Sequence, residues 1–329
     1  MQFSDITGHE QIIAHLQNAI KKNRVSHAYI LDGPESSGKT MLAEAFAQAL
    51  LCEEQGICGC GRCRSCRQTE GRNHPDLIYV NPEKPSVFSV DDVREKINDT
   101  IAVRPYNLSS RFKIYIVDET EKMTVQAQNA LLKTIEEPPE YIVMLLLTTN
   151  ADLFLPTIRS RCVSLPLHPV ADEKIRALLM RKYQVVDYRA DICTAFAQGN
   201  VGRAIELAGS GDFNALRERT IRLLCEVRDT DAGLLTEKIK EIQEFDETEE
   251  FFDLVLFWFR DVLLLKSGGP EEKLLYSDWI SEIEKQAEVF SYAGLNCILD
   301  AIRTARHRTA FNVNAGMAIE MLLLTIKEQ

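Results

Sequence analysis

The sequence has no apolar run long enough to cross a bilayer, no excess of positive charge, and no internal repeat or low-complexity segment. Its most apolar stretch, LVLFWFRDVLLL from Leu254, is interrupted by Arg260 and Asp261 and reads as a buried helix rather than a membrane span. The opening MQFSDITGHE has neither the basic segment nor the apolar core of a signal peptide, which points to a cytoplasmic protein. A net charge of −11, from 38 basic and 49 acidic residues, excludes a global attraction to nucleic acid, so any DNA contact must be a local patch. The acidity is concentrated in the C-terminal half. With 45% apolar and 26% charged residues the composition is that of an ordinary globular protein and excludes extensive disorder. A length of 329 residues implies two or three domains.

What the chain does have is a cluster of cysteines. Five of its nine lie in CEEQGICGCGRCRSC, Cys52 to Cys66. In a reducing cytosol such clusters bind metal or do redox chemistry more often than they form disulfides. Cys60, Cys63 and Cys66 form C-x-x-C-x-x-C, and two-residue spacing lets one short turn present two sulfurs to a tetrahedral zinc ion. Cys52 or Cys58 supplies the fourth ligand. The alternatives are a redox dithiol or simply reduced thiols. The isolated Cys162, Cys193, Cys225 and Cys297 sit in apolar patterns and read as small core residues.

The first half alternates helix and strand. QIIAHLQNAI places Ile12, Ile13, Leu16 and Ile20 on one helical face, HAYIL is a strand, and TMLAEAFAQALL is a helix with an apolar face. DLIYV and FKIYIVD are strands, while Ser89 and Asp92 form a capping box that opens a helix through Ile97. A helix beginning near Thr124 stops at Pro138-Pro139, and YIVMLLLTT is apolar enough for a strand buried on both faces. This alternation predicts an α/β domain, a parallel sheet wrapped by helices. After CVSLPLHP the strands stop. Short helices are expected over 171–183, 187–198 and 200–208, and longer ones from Asp212 onward, with Gly209-Ser210-Gly211 as a hinge.

GPESSGKT, Gly33 to Thr40, fits the phosphate-loop pattern and lies between a strand and an amphipathic helix. In such a loop the backbone of Gly33, Pro34, Glu35, Ser36, Ser37 and Gly38 wraps phosphates, Lys39 neutralises them and Thr40 ligates Mg²⁺. Asp118 and Glu119 end an apolar strand. There one carboxylate holds the Mg²⁺ shell and the next orients water. Thr148 and Thr149 end the next strand, either as ordinary strand residues or with one of them bonding the γ-phosphate or the attacking water. In TIRSRC, Arg159 and Arg161 are either surface charges or, for one of them, a guanidinium that stabilises phosphoryl-transfer charge in cis or in trans.

GPESSGKT, VDE, ALLKTIEEPP, LLLTTN and SRC occur in the order seen in the AAA+ clamp loader ATPases, and the chain resembles that family closely from Phe3 to about Leu167. NHPDLIYVNPE and the chain length look like the delta-prime branch of the family rather than its gamma/tau ATPase branch. The resemblance implies a nucleotide-binding domain with a zinc module (1–167), a small helical lid (168–210) and an all-helical collar (211–329). It implies a pentamer with gamma/tau and delta subunits that opens a sliding clamp and closes it on primed DNA. By residue it implies zinc on Cys52, Cys60, Cys63 and Cys66, a sensor at Thr149, an arginine finger for the neighbouring ATP site at Arg161, and DNA phosphate near Arg94.

Many delta-prime relatives carry a degraded phosphate loop and acidic pair; here both are intact, so ATP/Mg²⁺ binding is expected. The lid sequence Gly199-Asn200-Val201-Gly202-Arg203, however, puts glycine where ATPase relatives usually carry a second-sensor arginine. Arg203 lies one position on, about 100° around a helix. No polymerase site is evident. The favoured reading is a clamp loader subunit that donates an arginine finger. The alternatives are an autonomous gamma/tau-like ATPase and a redox-sensing nucleotide-binding protein.

Overall fold

The computed structural model describes residues 2–329 except 55, 107–110, 244–247 and 312. The chain forms two compact units, one made of Met1–Ala190 with Ala197–Ile205 and the other of Asp191–Phe196 with Glu206–Gln329.

The first unit is built on five parallel strands: β1 (Ala28–Asp32), β2 (Leu77–Val80), β3 (Lys113–Val117), β4 (Ile142–Thr148) and β5 (Val163–Pro166), in the order β2-β3-β4-β1-β5. Burial of β4 on both faces explains its unbroken apolar sequence. Val143, Leu145 and Leu147 face one core, whereas Ile142, Met144 and Leu146 face the other. The first core is closed by α1 (Glu10–Lys21) and α2 (Lys39–Leu51), through Leu16, Leu42, Phe46 and Leu50. A short helix, α3 (Arg64–Glu70), packs on α2. The opposite core is closed by α4 (Val90–Val93), α6 (Val125–Glu136) and α7 (Pro156–Arg159), with α5 (Asp99–Ile101) between α4 and β3. Strand β5 is an edge strand, which is why Pro166 is tolerated at its end.

The expected strands and helices are present within a residue or two. The capping box is also present: the Ser89 hydroxyl accepts from Asp92 N, and the Asp92 carboxylate accepts from Ser89 N. The helix it opens differs from expectation, because Arg94–Asn98 is a π-helical turn. The wider turn is tied down by side chains. Asn98 Nδ2 donates to Ala130 O (3.2 Å), and Thr100 Oγ1 donates to Lys96 O (2.8 Å).

Helix α8 (Asp172–Lys182), α9 (Asp187–Ala197) and α10 (Val201–Gly209) follow the sheet. The second unit is helical, with α11 (Gly211–Glu226), α12 (Ala232–Gln243), α13 (Thr248–Lys266), α14 (Ile280–Val289), α15 (Tyr292–Ala310) and α16 (Ala315–Glu328). Ser210 caps α11 by accepting from Phe213 N. Phe196 packs edge-on against Phe213, Phe257 and Tyr276 at 4.9–6.0 Å between centroids, a geometry favoured by ring quadrupoles. Asp261, which interrupts the apolar run of α13, is buried and accepts from Leu275 N (2.7 Å) and Tyr276 N (2.9 Å). Of the isolated cysteines, Cys193 is buried and Cys162 and Cys225 are half-buried. Cys297 is exposed, so the core reading is corrected there: its helical position faces outward on α15.

Candidate nucleotide site and metal centre

Strands β1 and β4 are neighbours, but the chain leaving β1 enters α2 on one face of the sheet, and the chain leaving β4 enters α7 on the other. A crevice opens at the carboxyl ends of strands at such a switch point. GPESSGKT lies there. Gly33 N donates to Thr148 O (3.1 Å), so the loop starts as a continuation of the sheet ladder. Ser36 (φ 56°) and Gly38 (φ 95°) are left-handed, which curls successive peptides into a nest at the N-terminus of α2. The Ser37 hydroxyl is buried with no hydrogen-bond partner among the described residues. An orphaned donor in a loop of this shape suits a phosphate oxygen.

Lys39 is half-buried at the head of α2. Its ammonium donates to Gly33 O (2.6 Å) and Pro34 O (2.7 Å). Burial lowers its pKa, and Asp118, Glu121, Glu35 and Asp32 oppose that shift, so the cation sits among four carboxylates. Thr40 follows it, half-buried in the first turn. Burial raises the pKa of Asp118, against the Glu119 N–H that donates to its carboxylate (2.8 Å) and the charge of Lys39. Glu119 is left-handed (φ 52°), and its carboxylate pairs with Lys122 (2.5 Å). Thr149 is half-buried, and its N–H donates to Glu121 Oε2 (3.2 Å). Glu121 is thus a site carboxylate that sequence reasoning missed, although it stands only three residues after Asp118.

Three further contacts hold the loop from outside. His9 Nε2 donates to Ser37 O (3.2 Å), Asn200 Nδ2 to Glu35 O (2.7 Å) and Gly202 N to Ser36 O (3.1 Å). Burial lowers the His9 pKa, which favours the neutral ring, and donation to a carbonyl requires the proton on Nε2. A Cβ on Gly202 would stand 2.1 Å from Ser36 O, so only glycine fits. Arg203 is half-buried, and its N–H donates to Asn200 Oδ1 (3.1 Å). Beside His9 lies a cavity of about 460 Å³, lined in part by His15, Pro166, His168 and Lys174.

Arg161 follows α7. Its guanidinium donates to Thr157 O (3.0 Å) and pairs with Glu136 (3.1 Å), with the side chain still 40% exposed. Arg159 instead pairs with Asp152 (2.8 Å). Arg94 is exposed at the start of the π-helical turn.

At the far end of α2, Cys52, Cys60, Cys63 and Cys66 bring their sulfurs within 4.8 Å of one another. A tetrahedral site with bonds of about 2.3 Å needs sulfurs about 3.8 Å apart, and the Cys60–Cys66 pair stands at 3.9 Å. The N–H groups of Cys60, Cys63 and Cys66 donate to the sulfurs of Cys52, Cys60 and Cys63, each at 3.3 Å. Backbone N–H donors lower the Cys60 pKa to about 7, whereas burial raises that of Cys66. The donor set is compatible with zinc. Cys58 is outside it, exposed and accepting from Gln17 Nε2 (3.2 Å). The NHPD segment anchors the module. Asp76 N donates to His74 Nδ1 (3.0 Å), which leaves Nε2–H to donate to Ser65 Oγ (2.7 Å).

A family model described as DNA polymerase III, delta subunit, matches residues 8–171, and one for the C-terminal part of that subunit matches 216–328. The delta-prime subunit of DNA polymerase III from Bacillus subtilis (strain 168) is 31% identical over 325 residues, covering 97% of this chain and 96% of that protein. The tau subunit from the same organism is 28% identical over 312 residues, covering 87% of this chain but only 54% of its own length. A solved gamma subunit-related protein from Thermotoga maritima is 20% identical with a TM-score of 0.48, covering 96% of this chain and 98% of that one. The delta-prime match over nearly the whole of both chains and the two family models show the family: this chain belongs to the DNA polymerase III delta-prime family of AAA+ clamp loader subunits.

Proposed function

We propose that this subunit works in the loader as an arginine-finger donor that also binds ATP/Mg²⁺, rather than as an autonomous gamma/tau-like ATPase. The observation that carries this reading is Arg161. Its guanidinium is exposed, its partners lie on α6 and α7, and it is braced by them without being buried. An arginine so presented is suited to a neighbouring subunit's ATP site, where developing phosphoryl charge needs a fixed cation. In its own site, Gly33 to Gly38 would wrap the phosphates and Lys39 would neutralise them. Thr40 and Asp118 would hold the Mg²⁺, which supplies charge neutralisation between phosphates when bound. Thr149 and Glu121 would stand toward the γ-phosphate, and the cavity beside His9 has a size and an imidazole lining suited to the base. Glu119, paired with Lys122, is available as a water-orienting carboxylate only once that pair opens.

Zinc on the four cysteines is structural in this reading, and Arg94 approaches DNA phosphate. The division into nucleotide domain, lid (168–210) and collar (211–329), assembly with gamma/tau and delta subunits, action on the sliding clamp and primed DNA, and a cytoplasmic location belong to the same proposal. Among the described residues no helix is long and apolar enough to cross a membrane.

The test is a loader reconstituted with Arg161→Ala. DNA-stimulated ATP hydrolysis should fall by about 10³-fold, the range known for such fingers, while ATP binding by the isolated variant stays at the wild-type level. An unchanged rate overturns the donor role.

A further inference from the structure

We infer that Asn200 and Gly202 form a clamp that holds the phosphate loop in its phosphate-accepting shape, so that nucleotide bound there exchanges slowly. The inference rests on reading that loop as a nucleotide site. In a planar trans peptide the C=O of one residue and the N–H of the next point in opposite directions. A donor that grips a loop carbonyl from outside therefore aims the following N–H inward. The carbonyls of Glu35, Ser36 and Ser37 are each gripped in this way, by Asn200 Nδ2, Gly202 N and His9 Nε2. The N–H groups so oriented are those of Ser36, Ser37 and Gly38, with that of Ser37 also closing a turn on Pro34 O (3.3 Å).

Two of the three grips come from one short segment far away in the chain. Asn200 has two roles: its Oδ1 caps α10 by accepting from Arg203 N, and its Nδ2 holds the loop. Gly202 brings the helix backbone to within a hydrogen bond of the loop, an approach that any side chain would prevent. The segment is itself fixed, because Val170 N donates to Gly199 O (2.8 Å) and Gly199 is left-handed (φ 82°) against Pro169. The clamp thus favours holding nucleotide over releasing it.

Asn200→Asp separates the two roles. Aspartate caps a helix as well as asparagine does, but it replaces the donor to Glu35 O with a carboxylate oxygen. Dissociation of a fluorescent ATP analogue in Mg²⁺, chased with unlabelled ATP, should be about three- to tenfold faster in this variant. Its thermal midpoint without nucleotide should be unchanged. Gly202→Ala should accelerate release further or abolish binding. If Asn200→Asp fails to fold, Asn200→Ser, which also caps and lacks the amide, gives the same reading. Wild-type release rates in the folded variants overturn the clamp while leaving the nucleotide reading intact. A wild-type chain that binds no analogue overturns both.

Discussion

The two ends of α2 are held in opposite ways. At its N-terminus the chain is fixed by its own hydrogen bonds. Sheet, histidine, asparagine and a helix backbone all converge on Gly33 to Gly38. At its C-terminus the chain leaves into a segment where no described residue between Cys52 and Ser65 is buried, and four sulfurs converge instead. Without apolar burial the cost of ordering such a segment is not met by packing, and a metal on those sulfurs would supply the cohesion. The loop is therefore shaped by the chain's own hydrogen bonds, whereas the cysteine segment is compatible with shaping by a metal.

If the two ends are independent, they can be broken separately. Lys39→Ala should have the largest effect, lowering ATP affinity by more than about 100-fold in titration calorimetry, since it removes the cation facing the phosphates. Zinc content, measured on the same sample, should remain one per chain. Cys66→Ser should lose that zinc and lower the thermal midpoint by several degrees, of the order expected for about 1–2 kcal/mol in a chain of this size. ATP affinity should stay within about threefold; a collapse there would show that the two ends are one structure.

Acid should affect both ends by a smaller amount. Burial lowers the pKa of His9 at the loop and of His74 at the module below the ordinary 6.5, so each favours its neutral form in the folded chain. Their contribution is complete above pH 6.5 and is lost as pH falls toward the lowered values. The thermal midpoint should decline between pH 7 and 5.5, and His9→Gln with His74→Gln should flatten that decline.

Much of this was readable from sequence because the signals are local. The phosphate loop, the x2 cysteine spacing, the Ser89–Asp92 cap and the apolar β4 each depend on residues a few positions apart. The choice of Cys52 over Cys58 required the fold of the turn. Glu121 was hidden because an acidic residue after a strand is common, and its bond to Thr149 N and its place near Lys39 are what mark it. The clamp was least legible, since Asn200 and Glu35 lie 165 residues apart. The sequence GNVGR did carry a hint, an asparagine between two glycines at a helix start. The π-helical turn at Arg94 has no sequence signature here, because tertiary bonds from Asn98 to Ala130 O and between the Thr100 and Tyr115 hydroxyls sustain it.

The clearance at Gly202 also limits what this subunit can be converted into. An arginine introduced there would drive its first side-chain carbon into the Ser36 carbonyl, and the helix would have to retreat before the guanidinium reached anything. Placing a cation at this position is therefore not a matter of one substitution. Main-chain spacing would have to change first, so a lone Gly202→Arg substitution would disturb the loop before it added a charge.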